Sequence, residues 1–424
     1  MKPTIYLDNN ATTPTDPRVV EAMMPYYTEK FGNAASRNHP FGWEAEEAVE
    51  NARKAIANEL NCRSREIVFT SGATESVNLA IKGYCERNVH RGRHIVTQII
   101  EHKAVLDTCS EMERRGREVT YLPVRKEGLV ELDEIAGAIR DDTALVAIMH
   151  ANNEIGTVHD IAAIGKLCKE RDVRFFVDGA QSFGKLAIDV ESMNIDMLAA
   201  SGHKIYGPKG IGFLYVRQRN PKVELKLQMD GGGHERGMRS GTLPVPLIIG
   251  LAEATRLCAE EGDSETERLR VMRDALLEKV TSALPDTIVN GSLEHRLSHN
   301  INFSFPNVEG EALLMQLESI ACSSGSACTS ATLQPSYVMK ALGHSEELAH
   351  SSIRIAFGRM NKDEDAGIAA EEIIAAVTSL REKSPPKSRH FGIRSEAGTV
   401  SSETVESAPD PDYVEIHLEG DTAE

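Results

Sequence analysis

At 424 residues, 41% of them hydrophobic and 26% charged, the chain is long enough for two or three domains with large buried cores. Its 64 acidic against 47 basic residues give a net charge of −17, which argues against nonspecific binding to nucleic acid or to an anionic membrane. No window approaches the roughly 18 apolar residues of a membrane span, the first residues lack the apolar stretch of a signal peptide, and seven scattered cysteines make no disulfide framework. The expectation is a cytoplasmic protein.

In chain order, two helical patterns near 16–30 and 42–60 come first, the former with Asp16 as N-cap and Pro17 at the first helical position. Then short apolar runs at 66–70, 94–98, 118–122, 144–149, 174–178, 196–200 and 212–216 alternate with helical patterns at 72–86, 103–115, 131–140 and 160–170. Strands apolar on both faces, alternating with helices, predict an α/β fold with a mostly parallel, doubly covered sheet. Function is then expected where strands end and helices begin. Two more helical patterns, 244–260 and 264–284, lead into a smaller α+β unit built from 300–305, 311–318, 352–357 and 363–380. The predicted division is a large domain over 14–260, a small domain from 1–13 and 261–383, and an acidic, disordered tail over 384–424. Residues 396–424 hold nine acidic and no basic residues, so that segment supplies more than half of the net charge.

Asp178 ends the strand in FFVDGAQSFGKL (175–186), and Lys204 follows the next strand in SGHKIYGPKGIG (201–212). A carboxylate there favours a protonated pyridine ring, and a lysine there can form an imine with an aldehyde cofactor. Either charge alone is more often a surface turn residue; together on neighbouring strand ends they point to an active site. FTSGATES (69–76) passes from strand through a small-residue turn into a helix, so N–H groups near Gly72, Ala73 and Thr74 suit a phosphate, with Ser201 and His203 as further donors. His102, Asn153 and Gln181 lie just beyond strand ends or in the turns that follow, as a stacking ring and two uncharged hydrogen-bonding amides. GGGHERGMRSGT (231–242) is another donor-rich loop. Cys328 lies in SSGSACTS (323–330), whose small polar residues suit a mobile thiol. Cys322 reads as a buried strand residue, and the other five cysteines read as structural, with no zinc or iron–sulfur spacing. GAQSFGKL imitates a P-loop but has Leu186 where Ser or Thr would hold magnesium.

These segments, with YLDNNATTP (6–14), FGNAASRNH (31–39), EHKAVLDT (101–108), HANNEIG (150–156) and HSSIRIAFGR (350–359), closely resemble the cysteine desulfurases of the pyridoxal-phosphate-dependent, class V aminotransferase-like family over about residues 4–382. The resemblance implies a fold-type I homodimer with pyridoxal 5'-phosphate as cofactor. Lys204 would carry the cofactor as an imine, Asp178 would pair with the pyridine nitrogen, His102 would stack on the ring, and Gln181 would contact its phenolic oxygen. Thr74, Ser201 and His203, with Ala73 beside them, would bind phosphate, and Thr242 would reach it from the other subunit. Asn153 and Arg354 would place the substrate carboxylate, Cys328 would carry sulfur, and no metal is called for.

The implied reaction converts L-cysteine to L-alanine through an enzyme persulfide that feeds an iron–sulfur cluster scaffold protein and tRNA-thiolation acceptors. The long serine-rich cysteine loop resembles the housekeeping and nitrogen-fixation branch. Ala34 stands where the family often has proline, and the tail lacks the scaffold-docking segment that housekeeping members often carry. Two alternatives stay open at this point: a selenocysteine lyase or other β-eliminating enzyme with the same cofactor, and a catalytically inactive interaction scaffold.

Overall fold

The computed structural model describes residues 4–324 and 335–383. The expectations placed on the Cys328 loop and on the acidic tail lie outside these residues. Twelve strands occur among them: β1 (Ile5–Tyr6), β2 (Ile67–Thr70), β3 (His94–Gln98), β4 (Glu118–Leu122), β5 (Thr143–Met149), β6 (Arg174–Asp178), β7 (Met197–Ser201), β8 (Gly212–Val216), β9 (Ile288–Val289), β10 (Asn300–Ser304), β11 (Ile320–Ala321) and β12 (Ser352–Ala356). Seven form one sheet in the order β2-β8-β7-β6-β5-β3-β4. The neighbours from β7 to β4 pair parallel, whereas β8 runs antiparallel to both β7 and β2. The alternating strands and helices predict the parallel part. The reversal of β8 follows from its short connection to β7, which leaves no length for a crossover helix.

The pleat sends successive residues of each buried strand to opposite faces. Phe175 joins a core with Val49, Ile56, Ile164 and Leu251 from the helices on one side, while Phe176 joins a core with Val77, Ile81, Val105 and Cys109 from the other. A third core gathers Leu269 and Met272 with Ile301, Phe303, Ile353, Ile355, Ile373 and Val377 around the antiparallel sheet β12-β10-β9. The N-terminal β1 pairs with β11 beside it, Ile5 against Ile320.

Three predicted helical patterns are corrected. The pattern at 16–30 divides into Pro17–Met23 and Pro25–Thr28, because Pro25 brings no N–H to continue the ladder. Asp16 does cap the first of them, accepting from the Arg18 N–H. The patterns at 244–260 and 264–284 are one 39-residue helix, Val245–Ala283. Gly262, inside it, costs about 1 kcal/mol relative to alanine, too little to break a helix whose two ends bury into different cores.

Candidate active site

Because β8 alone is reversed, the C-terminal ends of β2, β7, β6, β5 and β3 share one edge with the N-terminal end of β8. A cavity of about 600 Å³ opens there. Its lining includes Ala73, Thr74, His102, Asn153, Asp178, Gln181, Ser201, His203, Lys204 and Arg354, residues from six separate stretches of sequence. Of the remaining predicted site residues, Thr242 is exposed and does not line the cavity of its own chain, and Cys328 lies outside the described residues.

Asp178 is the last residue of β6 and is buried, with its Oδ1 accepting the Ala180 N–H at 2.9 Å. Burial raises its pKa above the usual carboxylate value, while the charges of His102 and Lys204 and the Ala180 hydrogen bond pull it back. Lys204 ends a short turn after β7, and its Nζ donates to the carbonyls of Asn10 at 2.6 Å and Ala11 at 2.8 Å. His102 caps the helix Lys103–Arg114: Nδ1 accepts the Ala104 N–H at 3.0 Å, which places the proton of the neutral ring on Nε2. His203 is held neutral, its pKa pushed down to about 4 by burial and by the nearby Lys204, Lys209 and Lys185.

The turn Ser71–Gly72 leads into the helix Ala73–Arg87, which has no side-chain cap. Ser71 to Glu75, which include the helix's first turn with its unbonded N–H groups, line the cavity, and Ser71 and Thr74 are exposed in the single chain. Gly72 has φ +155°, a conformation that a side chain rarely adopts. At the other side Arg354, fully buried on β12, donates from Nη2 to Asp8 Oδ1 at 2.6 Å and from Nη1 to the Asn153 carbonyl at 2.9 Å. Its guanidinium is thereby aimed before any substrate arrives.

Sequence reasoning missed how the N-terminal segment clamps the Lys204 turn. Thr13 N–H and Oγ1 both donate to the His203 carbonyl, Thr13 Oγ1 accepts the Tyr206 N–H at 2.8 Å, and Asp16 N–H donates to the Tyr206 carbonyl. The signal available was the dense polar run DNNATT directly after apolar Leu7. Asp8, which orients Arg354, belongs to the same run.

Six of the seven cysteines are described, and none of these six lines the cavity. Burial pushes Cys62 and Cys322 up to about 12, Cys85 and Cys258 up to about 11, and Cys109 and Cys168 higher still, so these thiols stay protonated and unreactive. Among the described residues no group of three or more His, Cys, Asp or Glu could hold a metal ion, and no helix is long and apolar enough to cross a membrane.

Sheet order, strand-end acid and turn lysine are those of a fold-type I enzyme with a large sheet domain and a smaller unit. The family model described as "Aminotransferase class-V" matches residues 5–367, and the chain belongs to that family. Among curated proteins it is 56% identical over 385 residues to the cysteine desulfurase IscS of Neisseria meningitidis, covering 91% of this chain and 95% of that protein. The cysteine desulfurase IscS of Pasteurella multocida is likewise 56% identical over 387 residues, with the same coverage. Among solved structures, a NifS-like protein superposes with TM-score 0.82 at 35% identity, covering 89% of this chain and 100% of that one. A structure described as SspA in complex with cysteine superposes with TM-score 0.74 at 41% identity, covering 84% and 99%.

The family implies pyridoxal phosphate, and the residues present fit it. The Oε1 of Gln181 is a buried amide oxygen without a hydrogen bond from the described residues, an acceptor open to a phenolic O–H. The uncapped helix start, with Ser201 and neutral His203 beside it, suits a phosphate, and Asp178 suits a pyridine nitrogen.

Proposed function

We propose that this protein is a pyridoxal-phosphate-dependent cysteine desulfurase that converts L-cysteine to L-alanine and holds the sulfur as a persulfide on Cys328. The observation that carries the reading is the convergence of Lys204, Asp178 and Arg354 on one cavity in a chain 56% identical to enzymes named for this reaction.

Bound there, the cofactor supplies an electron sink for the charge that develops at the substrate α-carbon. Lys204 takes the α-proton and returns protons, held in reach by the Asn10 and Ala11 carbonyls. Asp178 would keep a proton on the pyridine nitrogen, His102 would cover the ring, and Gln181 would contact the phenolic oxygen. Thr74, Ser201 and His203, with the Ala73 N–H, would hold the phosphate. Arg354 and Asn153 hold the substrate carboxylate, a bidentate geometry that favours arginine over lysine. The Cys328 thiolate attacks the substrate sulfur: the S–S bond forms, the C–S bond breaks, and its electron pair returns to carbon, which is protonated to give alanine.

The reading includes a homodimer in which Thr242 completes the second copy's phosphate site. Ser71, Thr74 and Thr242 are all exposed in the single chain, and Met24, Tyr27, Phe31, Phe41 and Trp43 form a run of apolar residues each at least half exposed, with Phe31 and Phe41 ring centroids 5.4 Å apart. It also assigns residues 14–260 to a cofactor-binding domain, 1–13 and 261–383 to a small domain carrying the Cys328 loop, and 384–424 to a tail. The proposed sulfur acceptors are an iron–sulfur cluster scaffold protein and tRNA-thiolation proteins, in the cytoplasm.

Purified protein incubated with L-cysteine and a thiol reductant should release alanine and sulfide one for one. Cys328→Ala should lose alanine formation from cysteine by at least a hundredfold while keeping the bound cofactor's visible absorbance. Undiminished alanine production by that variant would reject Cys328 as sulfur acceptor, and turnover of selenocysteine alone would favour the lyase reading.

A further inference from the structure

The loop at 231–242 is fastened within its own chain to the helix Pro40–Glu59, to β2 and, at one point, to the phosphate turn. Glu235 and Arg53, both almost fully buried, form a two-bond ion pair at 2.7 and 2.8 Å, and Glu235 Oε2 also accepts the Phe69 N–H of β2 at 2.8 Å. Arg53 Nη1 and Arg236 Nη2 both donate to the Ile67 carbonyl at the start of the same strand. Glu235 and Arg236 take left-handed φ of 49° and 57°, unfavourable for non-glycine residues and sustained only because these contacts over-determine the loop.

The last attachment is nearest to the chemistry. Arg239 Nε and Nη2 donate to Glu75 Oε1 and Oε2 at 2.8 and 3.2 Å, with both side chains largely buried. Glu75 Oε2 also accepts the Ser71 N–H at 2.7 Å, so this carboxylate braces the turn from within. Three residues beyond Arg239 stands exposed Thr242, and the intervening Gly241 N–H is held by His234 Nδ1 at 3.2 Å. One ion pair thus joins the turn facing this chain's cavity to the loop whose tip is exposed.

Resting on the homodimer reading above, we propose that the Glu75–Arg239 pair couples the two cofactor sites of the dimer, so that phosphate bound at one turn positions the Thr242 that completes the other site. Phosphate draws the Ser71–Thr74 backbone toward itself, and Glu75 moves with Ser71. Arg239 follows Glu75, and Thr242 follows Arg239. Loading of the first site then raises the affinity of the second, and by linkage the second site raises the first by the same factor.

The test is titration of the cofactor-stripped, full-length dimer with pyridoxal phosphate, followed by visible absorbance, with dimer mass checked by light scattering. Wild type should bind with a Hill coefficient clearly above 1. Arg239→Gln and Glu75→Gln, the latter retaining an acceptor for the Ser71 N–H, should remain dimers but bind hyperbolically and about 5- to 20-fold more weakly. A merely structural role would lower affinity without changing the steepness. A hyperbolic wild-type isotherm, or equal steepness in wild type and both variants, overturns the coupling. Thr242→Ala separates this from the underlying reading: if it leaves cofactor affinity unchanged, Thr242 does not complete the other site. Weakened binding in Thr242→Ala beside undiminished steepness in Arg239→Gln defeats the coupling alone.

Discussion

Glu101 is buried directly before His102, with Oε1 accepting the Met149 N–H at 2.6 Å and the Gln98 amide at 2.8 Å, while Oε2 has no partner among the described residues. Met149 is the β5 residue in register with Asp178, so this second acid stands behind the strand-end carboxylate. Burial raises the Glu101 pKa to about 8, opposed by its two hydrogen bonds and reinforced by the charge of Asp178. A carboxyl raised in the fold above its ordinary 4.5 stabilises the protein fully below 4.5 and loses that contribution as pH rises through 8. Glu101→Gln cannot ionise, so its melting temperature should gain on wild type between about pH 4.5 and 8 and then run parallel. Thermal melts across pH 4–9 check this; parallel curves throughout would mean that Glu101 is ionised in the fold.

At the scale of elements, the phosphate turn depends on how closely β8 approaches it. A Cβ on Gly212 would stand 2.4 Å from the Ala200 carbonyl oxygen and 2.7 Å from Gly72 Cα, so β8 would have to part from β7 or push the turn outward. Gly212→Ala should therefore cost about 1–3 kcal/mol, as overpacking does, and loosen the cofactor together with the fold. Urea midpoints and cofactor retained through gel filtration would report both losses. Gly262, inside the helix Val245–Ala283, has none of the described atoms within 4 Å of where a Cβ would lie, and Gly262→Ala should instead stabilise the fold by about 0.5–1 kcal/mol, read as a higher urea midpoint. Two glycines with opposite expected signs distinguish close packing from backbone freedom.

For the whole molecule, the exposed aromatic residues of 27–43 test the proposed assembly. Phe41 and Trp43 are each about half exposed on the N-terminal part of the helix Pro40–Glu59, away from its core-facing Val49 and Ile56. Phe41→Asp with Trp43→Asp should shift the sedimentation profile from dimer to monomer and release pyridoxal phosphate on dilution, since each site would lose the Thr242 of the other copy. A cofactor-loaded, active monomer would remove that arrangement.

The sequence by itself determines the α/β alternation, because a strand covered on both faces must be apolar throughout and its helices must show one apolar stripe. It also exposes the strand-end positions of Asp178, Ser201 and Lys204, since charged and small residues interrupt apolar runs only where the backbone leaves the core. Only the tertiary structure decides that β8 runs backwards, that two predicted helices fuse into Val245–Ala283, and that Thr13 clamps the Lys204 turn about 190 residues away. The same holds for Arg354 with Asp8 and for Arg239 with Glu75, which are 346 and 164 residues apart. Local pattern records which face of an element is apolar, but which polar groups meet is set by the packing of those faces, and no spacing along the chain carries that information.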